Sequence, residues 1–254
     1  MEIKIMSFNV RYKNNHDEQS WDIRLKRIVP LIKNAAPELI GFQEVLHPQL
    51  LDLAGSFDEY GHAGAGREDG KTKGEYALIF FKKSRFDLLD SGTFWLSETP
   101  ETPSFGWDAV CIRICTWVRL ADKITGKEFY HFNTHIDHVG KKARLKGAEM
   151  IRAAVLGKNA PAVITGDFNS FEGSPVYKIM TGEGLYDAKY AAESTMSHGT
   201  ANAFIVMDIS AFSPIDYIFF AGGGFSVKSY KVLVNGQEGE FSSDHYPVLV
   251  EFLM

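Results

Sequence analysis

Apolar runs that end in a polar residue recur along this chain. The run IKIMSF precedes Asn9, and the run ELIGF precedes Gln43 and Glu44. Such runs predict strands, and a polar residue directly after an apolar strand lies at the rim of a sheet. The pattern therefore predicts strands that present amide and carboxylate groups at one edge.

The same arrangement returns in the stretches EFYHFNTHIDH, TGDFNS, PIDYIFF and SSDHYPV. Five or six strands thus direct polar groups toward one edge. Carboxylates beside a histidine suit metal-assisted attack on phosphorus, because a divalent cation binds hard oxygen ligands and the reaction needs proton transfer. The residues that these stretches supply are His135, Asp137, His138, Asp167, Asn169, Asp216, Asp244 and His245.

Three segments have a helical spacing of apolar residues. Ser20 is placed to cap the first, Pro48 suits the first turn of the second, and the third runs from about Lys141 to Leu156. Strands bracket each helix, which predicts two sheets packed face to face with helices outside. The apolar residues are Trp21, Leu25, Ile28 and Ile32 on one face of the first helix, Leu50, Leu51 and Leu53 in the second, and Leu145, Ala148, Ile151 and Val155 inward in the third.

Three long loops are predicted to ring the polar edge. They are the glycine-rich segment 61–75, the segment 96–109, and the segment 193–212, which is rich in Ser, Thr and Ala. Because binding residues are often carried by loops on a rigid scaffold, these segments are expected to set specificity.

Composition bounds the size and the partners of the protein. With 254 residues, 45% hydrophobic and 13% aromatic, the chain is expected to fold as one domain over 1–254 and to be a monomer. Its 27 basic and 32 acidic residues give a net charge of -5, so no overall basic field draws it to polynucleotides. A small or single-stranded ester is favoured as substrate, although a local basic patch would admit nucleic acid.

The sequence indicates no membrane-spanning helix, because no apolar run reaches about 18 residues. The strand-like IKIMSF begins almost at Met1, so no signal peptide is indicated and a cytoplasmic location is expected. A secreted or periplasmic location is the alternative if a signal peptide has been removed.

The two cysteines, Cys111 and Cys115, lie in VCIRICTWV, whose alternation predicts a strand. Residues four apart on a strand are separated by about 13 Å, which is beyond the reach of a disulfide. Reduced thiols are therefore expected. A CxxxC metal site is the alternative, but no second cysteine pair supports it.

Seven short motifs follow one another between residues 7 and 248. They are SFNVR, QEV, GEYALIFF, NTHID, GDFNS, IDYIF and SDHYPV. In this order they resemble the endonuclease/exonuclease/phosphatase superfamily, the relatives of deoxyribonuclease I, sphingomyelinases, inositol polyphosphate 5-phosphatases and deadenylases. The resemblance implies a metal-dependent hydrolase with a four-layer α/β/β/α sandwich fold, in which the active site lies where the strands of both sheets end.

The resemblance also implies a magnesium site. Glu44 is the expected direct ligand, because its carboxylate is a hard oxygen donor, and Asn9 and Asp244 complete the shell directly or through water. Manganese is the alternative ion. Taken alone, Glu44 could be an ordinary surface carboxylate, but the apolar LIGF before it argues for the rim of a sheet.

Proton-transfer groups follow from the same resemblance. Asp167 is expected to orient or deprotonate the attacking water, and Asn169 to donate to a phosphoryl oxygen. In isolation, an Asp-x-Asn after a strand is more typical of a turn that satisfies its own backbone. Asp216 and His245 resemble a pair in which the carboxylate raises the pKa of the imidazole, so that the histidine meets the phosphate as a cation.

His135 separates this chain from apurinic-site endonucleases, which carry an Asn-x-Tyr-x-Pro-Asn pattern where this sequence has NTHID. In deoxyribonuclease I a Glu supports the equivalent His from a strand start that resembles GEYALIFF, which implies that Glu75 supports His135. Two supported histidines flanking one phosphate are therefore predicted. The stretch from GDFNS to Val176 and Tyr177 is similar to deadenylases.

Five residues are candidates for contacts with substrate. Guanidinium groups bind phosphate oxygens bidentately, which favours Arg67 in the glycine-rich loop and Arg113, predicted inward on a strand. Trp107 could form a wall for a base, sugar or inositol ring, with packing over the core as the alternative. For His138, the alternative to a substrate contact is a surface role at the start of a helix. For Asp137, the alternative is an indirect role, in which it supports the metal ligands without contacting the ion.

The resulting hypothesis is a magnesium-dependent phosphodiesterase or phosphatase. It would act on a small lipid, sugar or nucleotide ester by in-line attack of water, without a covalent intermediate. A nuclease or deadenylase-like exonuclease on RNA or DNA is the alternative enzyme. A non-catalytic binding module of the same fold is disfavoured, because it would be expected to have lost at least one of the site residues.

Overall fold

Strands outnumber helices in the structure, a computed structural model that describes residues 2–206, 208–210, 212–236 and 239–253. Within these residues the helices are α1 (Trp21–Ala35), α2 (His47–Ser56), α3 (Lys141–Leu156), α4 (Pro175–Met180) and α5 (Ala188–Ala191). The strands are β1 (Glu2–Asn9), β2 (Leu39–Val45), β3 (Tyr60–Ala63), β4 (Tyr76–Lys82), β5 (Phe86–Trp95), β6 (Ile114–Asp122), β7 (Glu128–His135), β8 (Ala162–Asp167), β9 (Leu185–Asp187), β10 (Ala192–Met196), β11 (Asp216–Ala221), β12 (Ser226–Val232) and β13 (Val248–Leu253).

These strands form two mixed sheets. One has seven strands in the order β10-β12-β13-β1-β2-β4-β3, and the other has six in the order β5-β6-β7-β8-β11-β9. Near the centre of each sheet lies a parallel pair, β1 with β2 and β7 with β8. Because parallel neighbours end at the same edge, each sheet brings two carboxyl-terminal strand ends together.

Three apolar layers hold the sheets and helices together. The layer between the sheets contains Ile5 of β1 and Ile218 of β11. A second layer packs α1 and α2 on the seven-stranded sheet, and a third packs α3 and α4 on the six-stranded sheet. Each sheet is thus covered by the other sheet on one face and by helices on the opposite face, which confirms the predicted α/β/β/α sandwich.

Inward-facing residues change from apolar to polar toward one edge of the sandwich. In β1, Ile3 and Ile5 belong to the layer between the sheets, and Ser7 and Asn9 follow them on the same face and are fully buried. Side chains alternate with a period of two along a strand, so the strand that fills the core also delivers polar groups at its end.

A buried polar network lies between the apolar layer and that edge. Gln43 Nε2 donates to Asn133 Oδ1 at 2.7 Å, which links the two sheets. The amide of Asn133 donates in turn to two backbone carbonyls of the seven-stranded sheet. Gly41 is required at this crossing, because a Cβ there would overlap Thr165 Oγ1 and Asn133 Oδ1. The network therefore fixes the spacing of the sheets next to the polar edge.

The three predicted helices are confirmed as α1, α2 and α3. Ser20 is the residue before α1, but its side chain caps no backbone amide. Leu25 is only half-buried on that helix, and Arg24 is the residue buried beside Trp21 and Ile28. Among the described residues, no helix combines the length and the apolar character needed to cross a membrane.

Two of the predicted loops contain short strands. Residues 61–63 belong to β3 and residues 193–196 to β10, because these segments pair with β4 and β12 at opposite edges of the seven-stranded sheet. Met207 and Ala211, in the predicted loop 193–212, lie outside the described residues.

The strand predicted around the cysteines begins later than expected. β6 starts at Ile114, so Cys111 and Arg113 lie in the segment that leads into it. Cys115 is buried in β6, whereas Cys111 is partly exposed, and both are free thiols, as predicted.

Candidate active site

One cross-strand row of the six-stranded sheet carries three of the predicted residues. His135, the last residue of β7, pairs in register with Asp167, the last residue of β8. Asp167 pairs on its other side with Asp216, the first residue of the antiparallel strand β11. The topology therefore places an imidazole and two carboxylates side by side at one edge.

Asn9 and Glu44 come from the ends of β1 and β2 in the other sheet. A register shift between Phe42 and Val45 and a left-handed φ of 60° at Glu44 interrupt the alternation of β2. With the strand so bent, Asn9 Nδ2 donates to Glu44 Oε1 and to Asp167 Oδ2, both at 3.0 Å. Asn9 thus joins the two sheets at the site.

Asp244 and His245 lie in the turn before β13. Ser243 Oγ donates to the backbone carbonyl of Asn9 at 2.7 Å, which ties this turn to β1. On its other side, the backbone of residues 200–203 pairs with residues 244–246. The predicted loop 193–212 therefore positions the turn through its backbone.

His245 and Asp216 form a buried pair. The Nδ1 atom of His245 lies 2.8 Å from Asp216 Oδ2. Burial by itself lowers the pKa of His245, but the charges of Asp216, Asp167 and Asp244 outweigh it and raise that pKa well above its ordinary value. His245 is therefore a cation at neutral pH. Its Nε2 atom lies 3.9 Å from Asp167 Oδ2.

Asp167 is a buried carboxylate with a shifted pKa. Burial and the neighbouring charge of Asp216 raise its pKa to about 7. The backbone amide of Asn169 donates to Asp167 Oδ1 at 2.9 Å and fixes the orientation of the carboxyl group. A carboxylate that titrates near neutrality is suited to accept a proton as a general base.

His135 has the opposite character to His245. Burial, followed by the positive charges of Arg113 and Arg67, lowers the pKa of His135 well below its ordinary value. Asn169 Nδ2 donates to the carbonyl of Ile136 at 3.1 Å and lies 3.0 Å from His135 Nε2. His135 is thus neutral, with Nε2 as acceptor, and both amide hydrogens of Asn169 are used within the protein. Donation from Asn169 to a phosphoryl oxygen would require one of these bonds to be exchanged.

Glu75 is close to His135, but it is hydrogen-bonded elsewhere. Its Oε2 atom lies 4.0 Å from His135 Nδ1, which is too far for a hydrogen bond. The same oxygen accepts from Arg67 Nη1 at 2.7 Å. Glu75 therefore lies near His135 without the predicted hydrogen bond, whereas His245 has a close carboxylate partner in Asp216.

A cavity of about 590 Å³ opens among these strand ends, and we call it the strand-end cavity. Predicted residues that line it are Glu44, Arg67, Glu75, Arg113, His135, His138, Asp167, Asn169, Asp244 and His245. Asn9 and Asp216 are buried behind the lining residues to which they are hydrogen-bonded.

Two predicted substrate contacts do not line this cavity. Asp137 is 1% exposed, and its carboxylate accepts hydrogen bonds from backbone amides of the surrounding loops. Trp107 is half-buried in the segment 96–109, where its backbone amide donates to Glu98 at 3.2 Å. The glycine-rich segment 61–75 supplies two of the lining residues, Arg67 and Glu75.

Glu44, Asp244 and Asn9 have the chemistry of a divalent cation site. Burial raises the pKa of Asp244, and the negative charge of Glu44 raises it further, so a cation between these carboxylates would relieve their repulsion. Asn9 Oδ1 accepts from the backbone amide of Arg11 at 3.0 Å and keeps a second lone pair. Oxygen donors of this kind fit Mg²⁺ or Mn²⁺.

A second group of potential ligands consists of Asp167, Asp216 and His245, whose ligand atoms lie within 4.8 Å of one another. The short contact between His245 Nδ1 and Asp216 Oδ2 occupies one potential ligand atom of each residue. Because His245 is also protonated, this group is better suited to proton transfer than to holding a cation.

Two arginines at the site were missed by sequence reasoning. Arg11 lines the cavity, where its Nη1 lies 3.6 Å from Asp244 Oδ2. Arg24 is fully buried and donates to the backbone carbonyls of Val10, Arg11 and Tyr12, which holds the segment after β1 in place. The sequence did contain a signal for the burial of Arg24, because this residue lies three positions after Trp21 on the apolar face of α1.

The chain is similar to known proteins over nearly its whole length. A family model described as the Endonuclease/Exonuclease/phosphatase family matches residues 6–245. A crystal structure of an endonuclease/exonuclease/phosphatase from Bacteroides vulgatus is 39% identical, with a TM-score of 0.94 over 100% of both chains. A mannosyl-6-phosphatase from Bacteroides thetaiotaomicron is 38% identical, with a TM-score of 0.92 over 99% of this chain and 100% of that chain.

A more distant similarity is to the CCR4-Not complex 3'-5'-exoribonuclease subunit Ccr4 of Saccharomyces cerevisiae. That protein is 22% identical over 92% of this chain, and the match spans 35% of its own length.

Proposed function

This chain belongs to the endonuclease/exonuclease/phosphatase family, hydrolases that act on phosphate esters, and from that premise we propose that it is a divalent-metal-dependent phosphatase of small sugar phosphates. The observation that carries the proposal is the position of Asp167. Its Oδ2 atom lies 3.5 Å from Nε2 of the neutral His135 and 3.9 Å from Nε2 of the cationic His245. A base thus lies between two imidazoles of opposite protonation state.

Asp167 is the group proposed to accept a proton from the attacking water. Its pKa of about 7 leaves a substantial fraction ionised at neutral pH, so that the carboxylate can hold and deprotonate a water molecule. Asn9 and Asn169 fix both of its oxygens by donating to them. The carboxylate is therefore oriented before substrate arrives, which lowers the reorganisation needed in the transition state.

His245 is proposed to stabilise the charge that develops on the phosphoryl oxygens. Asp216 keeps the imidazole protonated and fixes its orientation through the 2.8 Å contact at Nδ1. Glu44 and Asp244, with Asn9 beside them, would hold a magnesium or manganese ion, which supplies Lewis-acid stabilisation of the phosphoryl group when bound. His135 would remain neutral and accept a hydrogen bond through Nε2.

Three observations favour a small monoester as substrate. The strand-end cavity, at about 590 Å³, has the size of a pocket for a small molecule. Its lining includes Arg11, Arg67 and Arg113, and guanidinium groups of this kind bind phosphate oxygens although the whole chain carries a net charge of -5. The 38% identical mannosyl-6-phosphatase acts, by its name, on a sugar phosphate.

An exonuclease acting on RNA is the second candidate. The similarity to Ccr4 supports it, and so does the stretch from GDFNS to Tyr177, which resembles deadenylases. A polynucleotide would have to extend beyond the cavity over a protein surface of net negative charge. We therefore place this activity second.

Release of inorganic phosphate from mannose 6-phosphate and glucose 6-phosphate, measured beside release of AMP from poly(A), would test the proposal. The assay should contain Mg²⁺ or Mn²⁺, with EDTA as the metal-free arm. We expect turnover of a sugar phosphate that EDTA abolishes and that Asp167→Asn reduces by about 10²- to 10⁴-fold, the usual contribution of a general base. Glu59→Gln, an exposed carboxylate near the opposite edge of the sheets, is the matched control and should retain activity.

Turnover of poly(A) alone would replace the first candidate by the second. Activity that persists in EDTA or in Asp167→Asn would show that the assigned site does not carry the reaction.

A further inference from the structure

Arg113 is a buried cation whose hydrogen bonds are incomplete. It lines the strand-end cavity and is 5% exposed. Among the described residues, its Nε and Nη1 atoms have no hydrogen-bond acceptor. Because buried polar groups are nearly always hydrogen-bonded, these unused donors point to an acceptor that the protein itself does not supply.

His138 holds one side of this guanidinium group. Arg113 Nη2 lies 3.0 Å from His138 Nδ1. A guanidinium group only donates, so His138 Nδ1 is the acceptor in this contact. His138 therefore fixes the orientation of Arg113.

Asp137 holds the other side. Its Oδ2 atom lies 3.7 Å from Arg113 Nε, close enough to balance charge but too far for a hydrogen bond. Its Oδ2 atom accepts from the backbone amides of Val110 and Cys111, and its Oδ1 atom accepts from those of Val139 and Gly140. Asp137 thus joins the segment before β6 to the segment after β7 and cannot turn to satisfy the arginine.

Of the two donor atoms without an acceptor, Nε faces the charge of Asp137, and Nη1 is left for a ligand. Arg67 is the neighbouring arginine of the cavity, but Glu75 engages its Nη1 at 2.7 Å. Arg113 precedes β6, which flanks β7 on the side away from β8, whereas Asp216, the partner of His245, begins β11 on the other side of β8. Arg113 therefore lies on the His135 side of Asp167, and His245 lies on the other side.

A phosphate monoester has three non-bridging oxygens, whereas a diester has two and a second ester oxygen that carries carbon and no charge. A cation held by Glu44 and Asp244, and the imidazole of His245 that Asp216 orients, would account for two of these oxygens. We propose that Asp137 and His138 are positioning residues that orient Arg113 toward the third, which makes the enzyme selective for phosphate monoesters over diesters. This inference rests on the proposed function and deepens it.

The test is a comparison of p-nitrophenyl phosphate with bis(p-nitrophenyl) phosphate, which have the same leaving group. We expect Arg113→Met to lower kcat/KM for the monoester by about 10- to 100-fold, the effect of losing a charged hydrogen bond, and for the diester by less than about threefold. His138→Gln keeps an acceptor and should retain most of the selectivity, whereas His138→Ala should lose part of it, mainly through KM for the monoester.

Arg119→Met is the matched control, because Arg119 lies on β6, is only partly buried and forms an ion pair with Glu128. It should leave both esters unchanged. If Arg113→Met leaves the ratio of kcat/KM for the two esters unchanged, whether or not both values fall, the inference is overturned while the proposed function stands.

Binding of inorganic phosphate provides a readout that does not depend on turnover. By calorimetry at pH 8, where phosphate is a dianion, Arg113→Met should weaken binding by about tenfold or more and Arg119→Met should not. If the wild type hydrolyses neither the aryl esters nor the sugar phosphates, the proposed function fails, and this measurement still decides the inference. Equal affinity of the two variants would overturn it.

Discussion

Nδ1 of His245 and Oδ2 of Asp216 lie 2.8 Å apart, although the two residues are separated by 29 positions in the chain. The contact joins the turn before β13 to the first residue of β11 and therefore ties one sheet to the other. It also sets the charge of His245, since the carboxylate offsets the cost of burying an imidazolium. One contact thus has both a structural and an electrostatic role.

Asp216→Asn should therefore change the pH dependence as well as the rate. Without the negative charge, the pKa of His245 falls, so the imidazolium is lost at lower pH and the alkaline limb of the kcat profile moves toward acid. We expect kcat at pH 8 to fall by about 10²-fold. Asp58→Asn, at an exposed position, is the control. An alkaline limb that stays in place would contradict this account of the pair.

Asp167→Asn should stabilise the protein while it lowers activity. In the folded protein Asp167 takes up a proton at about pH 7, whereas in an unfolded chain an Asp does so at about pH 4. Between these values the folded state binds more protons, so ionisation of Asp167 increasingly opposes folding as the pH rises and by a constant amount above pH 7.

Urea unfolding in EDTA at pH 5 and pH 8 measures this effect. We expect the free energy of unfolding of Asp167→Asn to exceed that of the wild type by about 2–4 kcal/mol at pH 8, from about 1.4 kcal/mol for each unit of pKa, and by less at pH 5. If the free energies of unfolding of Asp167→Asn and the wild type differ by the same amount at both pH values, folding does not shift the pKa of Asp167.

Magnesium should raise the thermal stability of the wild type. A ligand that binds the folded state at a hundredfold excess over its Kd stabilises it by about 2.7 kcal/mol, which shifts Tm by several degrees. Glu44→Gln removes one of the carboxylates and should abolish most of this shift, while Glu59→Gln should keep it. The measurement is a thermal melt with and without Mg²⁺, and an equal shift in both variants would place the ion elsewhere.

Gly41→Ala should destabilise the packing of the two sheets. The added Cβ would overlap Thr165 and Asn133 in the buried polar network, and overpacking of this kind costs about 1–3 kcal/mol. Gly55→Ala is the matched control, because nothing lies near a Cβ at that position in α2 and alanine favours a helix by about 0.8–1.0 kcal/mol. Urea unfolding of both variants tests this. If Gly41→Ala leaves the free energy of unfolding unchanged, the buried polar network rearranges to make room for the Cβ.

Local patterns in the sequence predicted the elements of the fold well. The helical period set the bounds of α3 at Lys141 and Leu156, because amphipathic spacing is a local property of the chain. The short edge strands β3 and β10 were missed, since their pairing with β4 and β12 depends on distant residues rather than on their own composition. The late start of β6 has no local signal in VCIRICTWV.

The candidate site was predictable as a set of residues. Asn9, Glu44, His135, Asp167 and Asp216 each lie at the end of an apolar strand, and strand ends are readable from the sequence. The resemblance to a known family then assigned their roles, because its motifs occur in the same order.

The hydrogen-bond partners within the site were decided by the tertiary structure. Glu75 binds Arg67 rather than His135, and Asp137 binds backbone amides rather than facing the cavity. Distances of this order depend on loop conformation and on competition between donors, which strand and helix periods do not encode.

The sequence by itself determined which residues reach the edge of each sheet, because alternation along a strand and the order of motifs are local. Only the tertiary structure decided how these residues affect one another. Burial beside Asp216 raises the pKa of Asp167 to about 7, and burial beside Arg113 keeps His135 neutral. The physical reason is that the free energy of a buried charge depends on every neighbour that packing brings close, and those neighbours come from strands and loops far apart in the chain.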